Sequence, residues 1–245
     1  MSVPLPISNA LPDPYAPFMR VRSAPAAANE AGVGSALYRR RAEILAATRR
    51  TLAEEGHQRF TLRSVSEACS VTAQTIHNSF GSKVELLRAA LNQHTQQIDG
   101  FALSQINDPL VFLALARAYY ESAIEWGEFM REFMLVTSSR PSLRDALFKY
   151  GAELKVHILR GMARRNLLRS SVDPRMAAEQ IAYVNMFGMR EWAETGDLKR
   201  LEERLISGNA ILLLGIFKPE AARGVEQWLG GVQQETAEAG SPLLS

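Results

Sequence analysis

One cysteine, Cys69, stands in the 245-residue chain, which excludes an intramolecular disulfide and fits a reducing compartment. Long apolar runs are also missing. The longest, Ala210 to Phe217, falls far short of the roughly 20 residues a membrane helix needs, so no membrane partner is expected. The opening Met-Ser-Val-Pro-Leu-Pro has neither the basic start nor the apolar stretch of a secretory signal, and a cytoplasmic location is expected. The four histidines, His57, His77, His94 and His157, lie scattered without metal-ligand spacing. There is no G-x-S-x-G, H-E-x-x-H, G-x-x-x-x-G-K-[ST] or G-x-G-x-x-G. Gly81-Ser82-Lys83 lacks the upstream glycine and strand of a phosphate loop. No metal, no cofactor and no enzymatic activity are therefore expected.

Neither sign of charge dominates, the net being +2, but the excess is local. Residues 37–95 hold nine arginines and lysines against five acids, a balance that suits phosphate and equally a solvated helix face. A hydrophobic fraction of 47% and a charged fraction of 22% describe a globular chain with material for a sizeable core. Six of the 11 prolines fall within the first 25 residues. Residues 1–35 are accordingly expected to form a flexible arm, with Arg20 and Arg22 as its cations.

From Ser35 onward apolar residues recur at helical spacing with no strand-like alternation, so the fold class is all-α. Leu37, Ile44, Leu45, Thr48 and Leu52 mark one stripe of a first helix, which Gly56 is placed to stop. Short helices are expected at about 62–69 and 73–79, and a longer one from Ser82, with Glu85 as its capping-box partner, to about residue 98. Pro109, Gly127, Pro141, Asp173-Pro174, Gly196-Asp197 and Pro219 then divide the remainder into helices at roughly 109–125, 128–138, 142–168, 174–194, 198–217 and 220–234. The domains so outlined are 36–82, a three-helix unit, and 83–235, a larger helical unit, with a flexible tail at 236–245.

The segment 61–80 is the most informative. Thr61 can cap the first short helix, which buries Leu62, Val65 and either Ala68 or Cys69. Ser70-Val71 makes the turn, and Thr72 caps the second helix, whose inner side needs Ile76 and Phe80. Ala73, Gln74, Thr75, His77, Asn78 and Ser79 remain on or near the outer surface. They are small or polar and carry no fixed charge, as suits a helix inserted between walls of phosphate.

The stretch from Arg41 to Leu91 resembles the DNA-binding domain of the TetR family of transcriptional regulators. The resemblance rests on Ile44-Leu45-Ala46-Ala47, Gly56, Thr61 with Val65 and Ala68, Val71-Thr72, Thr75-Ile76, Phe80, Ser82-Lys83 and Glu85-Leu86-Leu87, in order and ungapped. Family members usually carry glycine where Ser70 stands, an aromatic at His77, and tyrosine or histidine at Ser79. The resemblance implies an N-terminal helix-turn-helix domain followed by a helical ligand-binding and dimerisation domain. It implies phosphate contacts from Arg63, Thr72, Thr75, His77 and Lys83, with Gln74 and Asn78 nearest the base edges, where either side chain can pair with adenine.

Beyond residue 100 the resemblance is only one of helical character and length. Tyr119, Tyr120, Trp126, Phe129, Met130, Phe133 and Met134 supply adaptable apolar surface that suits core or pocket. Candidate pocket residues are Tyr119, Trp126, Met130, Met134, His157, Asn185 and Met189, with Glu121, Glu125 and Arg190 as further polar groups. Two late helices offer small-and-apolar faces for a dimer: Ala178, Ile181, Ala182, Asn185, Met186 and Met189 on one, and Leu201, Leu205, Gly208, Leu212 and Gly215 on the other. The expected function is a homodimeric repressor, bound to double-stranded DNA at a palindromic operator and released by a partly hydrophobic small molecule. The alternatives are a helix-turn-helix protein-interaction module that never touches DNA and, further off, a helical enzyme.

Overall fold

Apolar residues at three- and four-residue spacing, punctuated by glycine and proline, fold here as eleven helical segments, identified in a computed structural model that describes residues 33–92 and 107–239, with side chains over 38–92 and 107–231. The expected arm lies outside the described residues except for 33–35, which already belong to the first helix. α1 (Val33–Arg59) buries Ile44, Leu45, Thr48 and Leu52 along one stripe. It breaks at Gly56, where φ is 77° and ψ 160°, a region essentially reserved for glycine. α2 (Leu62–Ala68) and α3 (Ala73–Phe80) follow as the short pair. α4 is described over 83–92. The remainder of its expected span, with His94, lies outside the described residues.

The C-terminal helices begin and end close to their expected punctuation. They are α5 (Val111–Glu125), α6 (Gly127–Ser139), α7 (Pro141–Arg164), α8 (Pro174–Thr195), α9 (Leu198–Glu202), α10 (Gly208–Ile216) and α11 (Pro219–Ala239). Pro141 and Pro174 sit in the first turns of α7 and α8, where a missing N–H leaves no hydrogen bond unmade. The Asp173 carboxylate accepts the Met176 N–H at 2.8 Å and so caps α8.

Three boundaries differ from expectation. α7 stops at Arg164 rather than 168. Asn166 enters the left-handed region at φ 62°, and Leu168 then pairs antiparallel with Phe217. The expected single helix 198–217 is interrupted by a π-helical turn at Glu203–Ser207. α11 runs to Ala239, so the first residues of the expected tail are helical, while 240–245 lie outside the described residues. Apart from the Leu168–Phe217 bridge, the described residues contain no strand.

α7 lies along α8, and α6 packs on both α1 and α8, which makes α6 the joint between the N-terminal helices and the rest. One core cluster runs without interruption from Ile44, Phe60, Val65 and Ile76 through Leu87 to Phe133 and Met189. A second gathers Phe112, Leu115, Leu159, Ile181, Leu213 and Phe217. No helix among the described residues is long and apolar enough to cross a membrane.

Candidate nucleic-acid interface and cavity

Hydrogen bonds local to each turn hold α2 and α3 in place. The Thr61 hydroxyl accepts the Ser64 N–H at 3.0 Å while the Ser64 hydroxyl accepts the Thr61 N–H at 3.1 Å, a reciprocal cap built with serine. Thr72 accepts the Thr75 N–H at 3.1 Å and so starts α3. Val65 and Ile76 are fully buried and Phe80 nearly so, whereas Ala68 is exposed and Leu62 and Cys69 are half-buried. Between the helices Ser70 adopts φ 53°, a left-handed position that favours glycine, and the usual family residue there thereby has a physical reason. Burial pushes the Cys69 thiol up, and its Sγ donates to the Val65 carbonyl at 3.0 Å. Both features suit packing rather than reactivity.

α3 turns Gln74, His77, Asn78 and Ser79 outward, all exposed, with Thr75 half-buried beside them. The Gln74 amide donates to the Asn78 carbonyl oxygen at 2.7 Å, so the two candidate base readers are held one helical turn apart on the same face. The hydroxyls of Thr72 and Thr75 lie 2.8 Å apart at the start of the helix. Arg63 is exposed on α2 and paired with Glu67 at 2.9 Å, the contact that raises its pKa.

Much of the local basic excess is structural. The Arg41 guanidinium donates to the Ser79 carbonyl at 3.2 Å and stacks 4.3 Å from the Phe80 ring centre. Arg50 donates to the Ala68 carbonyl at 3.3 Å. Lys83 donates to the Phe60 carbonyl and lies 4.9 Å from that ring's centre. Each cation thus meets a carbonyl at or just beyond a helix C-terminus, where backbone acceptors and the negative end of the dipole face it. Arg49 reaches the Ala90 carbonyl and stacks 4.8 Å over Trp126. Lys83 therefore spends one of its three donors inside the fold, and its ammonium is partly shielded.

A cavity of about 140 Å³ opens between α4, α5, α6, α7 and α8. Of the residues expected to line a pocket, Tyr119, Met130, Met134, Asn185 and Met189 meet there. Trp126 and His157 do not. Trp126 packs edge-on against Phe129, ring centres 6.0 Å apart, and His157 is exposed on α7. Glu121 and Arg190 are likewise outside the lining, held in ion pairs with Arg117 and Glu194. Phe133, one of the residues suited to core or pocket, joins the lining, as does Lys155, for which the sequence suggested no such place. Lys155 looks like a solvated mid-helix lysine, but Ala152, Lys155, Leu159 and Met162 follow a core spacing of three and four, a signal that was available. Among the described residues no group of three or more His, Cys, Asp or Glu is placed to hold a metal ion.

Residues 44–90 match the family model described as bacterial regulatory proteins, tetR family. The match covers the N-terminal segment and identifies that segment as TetR-like. Solved structures of similar fold include a TetR-family repressor, FadR, of Thermus thermophilus in complex with lauroyl-CoA. It is 22% identical with a TM-score of 0.60, over 74% of this chain and 97% of that one. NalD, the secondary repressor of a multidrug efflux pump in Pseudomonas aeruginosa, is 19% identical, with a TM-score of 0.52, over 76% and 99%. SmeT, the repressor of an efflux pump of Stenotrophomonas maltophilia, is 21% identical, with a TM-score of 0.55, over 73% and 91%. At these identities the likeness establishes the fold. No curated protein sequence matches this one.

The faces expected to join two subunits are largely turned inward. Ala178, Ile181, Ala182, Asn185 and Met189 are buried within the chain, as are Leu201 and Leu205, while Leu212 is half-buried and Gly215 exposed. The richest apolar stripe of each late helix is the one its own core takes. What remains outside is a different apolar set: Tyr183 and Phe187 on α8, exposed by 57% and 56%, and Ile211 on α10, exposed by 65%. Gly208 lets the two helices approach, since a Cβ there would lie 3.2 Å from Val184 Cγ1.

Proposed function

We propose that the chain is a homodimeric transcriptional repressor that binds a palindromic operator through α3 and leaves it when a small molecule fills the cavity. The observation that carries this reading is the outward face of α3. It is exposed, rich in hydrogen-bonding groups and free of fixed charge, at the position where the family's helix-turn-helix meets the major groove. In this reading Gln74 and Asn78 contact base edges, while Thr72, Thr75, His77, Arg63 and the remaining donors of Lys83 contact phosphate.

Dimerisation follows from the length of the reader. An eight-residue helix spans too few base pairs for useful specificity, and a second copy doubles the site at a spacing of about 34–36 Å. Tyr183, Phe187 and Ile211 provide an exposed apolar surface suited to an isologous contact. Leu91 and Asn92 of α4 line the cavity, and the same helix begins at Lys83 beside the motif. A ligand that prefers one position of α4 therefore biases the separation of the two recognition helices, and it releases DNA only as far as its affinities for the two states differ. The efflux-pump repressors of the same fold are consistent with this reading.

Selection of genomic fragments by the purified full-length protein tests it. A palindromic motif with half-sites about one helical turn apart is the expected result. Absence of enrichment at low salt would overturn it in favour of a protein-binding module.

A further inference from the structure

The polar side chains in the wall of the cavity, one amide nitrogen apart, have partners in the protein. The Ser122 hydroxyl donates to the Ala118 carbonyl and the Thr137 hydroxyl to the Met134 carbonyl, each at 2.7 Å. Lys155 on α7 is held within the fold by several contacts, among them the Gly151 carbonyl, which accepts from its ammonium at 3.1 Å. The rest of the wall is largely Met, Phe, Leu and Tyr.

The exception belongs to Asn185 on α8, which is 6% exposed. Its neighbour fixes its orientation. The Asn209 amide nitrogen donates to the Leu205 carbonyl and, at 2.6 Å, to the Asn185 carbonyl oxygen. Reversing the Asn209 amide would set oxygen against oxygen, so Asn185 must present its own oxygen there. Asn185 Nδ2 is thereby left as a buried donor with no acceptor among the described residues. Asn209 Oδ1 is unpartnered as well, but Asn209 lies outside the wall. Asn185 lines the cavity while its oxygen is turned to a residue that does not, so its open donor is the end left to the cavity. Such atoms are rare in native proteins and mark a position that something else completes.

Resting on the reading of this cavity as the effector site, we infer that it takes a small, neutral, mostly apolar molecule whose one carbonyl oxygen accepts from Asn185 Nδ2. The apolar body lies against Phe133, Met134 and Met189. A neutral carbonyl supplies the acceptor that the amide lacks and needs no opposite charge. A hydrocarbon of the same shape would leave the donor buried and unmade. A carboxylate would carry its charge out of water to a neutral amide, beside an ammonium that already has partners, and that desolvation is costly. About 140 Å³ is the scale of a single aromatic ring or a short acyl chain.

Calorimetric titration of the full-length protein with acetophenone and with α-methylstyrene, which replaces the carbonyl oxygen by a methylene, tests this in wild type and Asn185→Leu. The ratio of ketone to hydrocarbon affinity is expected to fall roughly fivefold to a hundredfold in the variant. The variant's melting temperature shows that it is folded, since Asn209 keeps the Leu205 carbonyl as an acceptor. A second readout needs no variant: the infrared carbonyl stretch of isotope-labelled acetophenone bound to the wild type. It is expected at lower frequency than in a hydrocarbon solvent, as for a carbonyl that accepts a hydrogen bond. An unshifted stretch, an affinity ratio that Asn185→Leu leaves unchanged, or binding of neither probe overturns the inference. Tighter binding of benzoate than of acetophenone by the wild type overturns the neutral assignment. Operator affinity is scored separately with and without acetophenone. Ketone binding that depends on Asn185 but leaves operator affinity unchanged supports the ligand class and overturns the effector reading alone.

Discussion

Glu132 closes the break at the end of α1 by accepting two hydrogen bonds from His57. One comes from its backbone N–H and one from its ring Nδ1–H, both at 2.6 Å to the same carboxylate oxygen. The carboxylate can only accept, so the ring proton sits on Nδ1. The contact joins α6 to the helix-turn-helix domain just where Gly56 ends the regular helix.

Removing that acceptor strands two part-buried donors. Glu132→Ala is expected to cost about 1–3 kcal/mol of stability and to lower the melting temperature by several degrees, with Glu132→Gln milder because it keeps an acceptor. Thermal unfolding of the three proteins checks this, and an unchanged melting temperature in Glu132→Ala would remove the joint from the account.

Ser70 stands at a left-handed φ of 53°, where a Cβ is strained. Ser70→Gly is expected to gain about 0.5–1 kcal/mol, the relief of strain outweighing the extra freedom glycine gives the unfolded chain. The midpoint of urea unfolding should rise, and a fall would mean that the serine side chain contributes more than its backbone costs.

Burial, with repulsion from Arg140 adding to it, holds the Lys83 ammonium below its ordinary pKa of 10.5. The native state therefore disfavours the charged form. That penalty is fully present below the folded-state pKa and fades as pH rises through it toward 10.5, because the native state loses its proton before the unfolded one. Relative to Lys83→Met, the wild type should gain stability across that alkaline window. Denaturant unfolding of both proteins at neutral and alkaline pH reads the difference, and a wild type that instead loses ground to the variant would reverse the sign.

If Tyr183, Phe187 and Ile211 form the dimer contact, Phe187→Asp places a charge in it. The dimer should weaken by at least about tenfold, read by sedimentation equilibrium, while far-UV circular dichroism stays unchanged because Phe187 lies outside the core. A dimer as tight as the wild type would move the contact elsewhere.

Helix ends were legible wherever proline or glycine sets them. Pro141, Pro174, Gly196 and Pro219 all stand at helix boundaries of the structure, because a fixed φ or a missing Cβ acts locally. The helix-turn-helix was legible for the same reason, since its caps at Thr61 and Thr72 and its buried Val65, Ile76 and Phe80 depend on neighbours within a few residues. What depends on distant partners was not. Ala178, Ile181 and Leu205 were expected on dimer faces, and tertiary packing buries them in the chain's own core. The break of α7 at Asn166 follows from the pairing of Leu168 with Phe217, 49 residues on. His157 was expected in the cavity and faces outward, while Lys155 two positions earlier lines it, because helical phase over a long helix decides which of the two faces inward.

The central claim is that the outward face of α3 reads DNA sequence. Its most direct test is the affinity of wild type and Gln74→Ala for the selected operator and for a scrambled duplex, each at two salt concentrations. The account predicts that wild type prefers the operator by roughly a thousandfold or more. It further predicts that Gln74→Ala gives up about 1–3 kcal/mol of that preference and that both proteins weaken equally steeply with salt. Undiminished discrimination by Gln74→Ala, or affinity indifferent to salt, would contradict it.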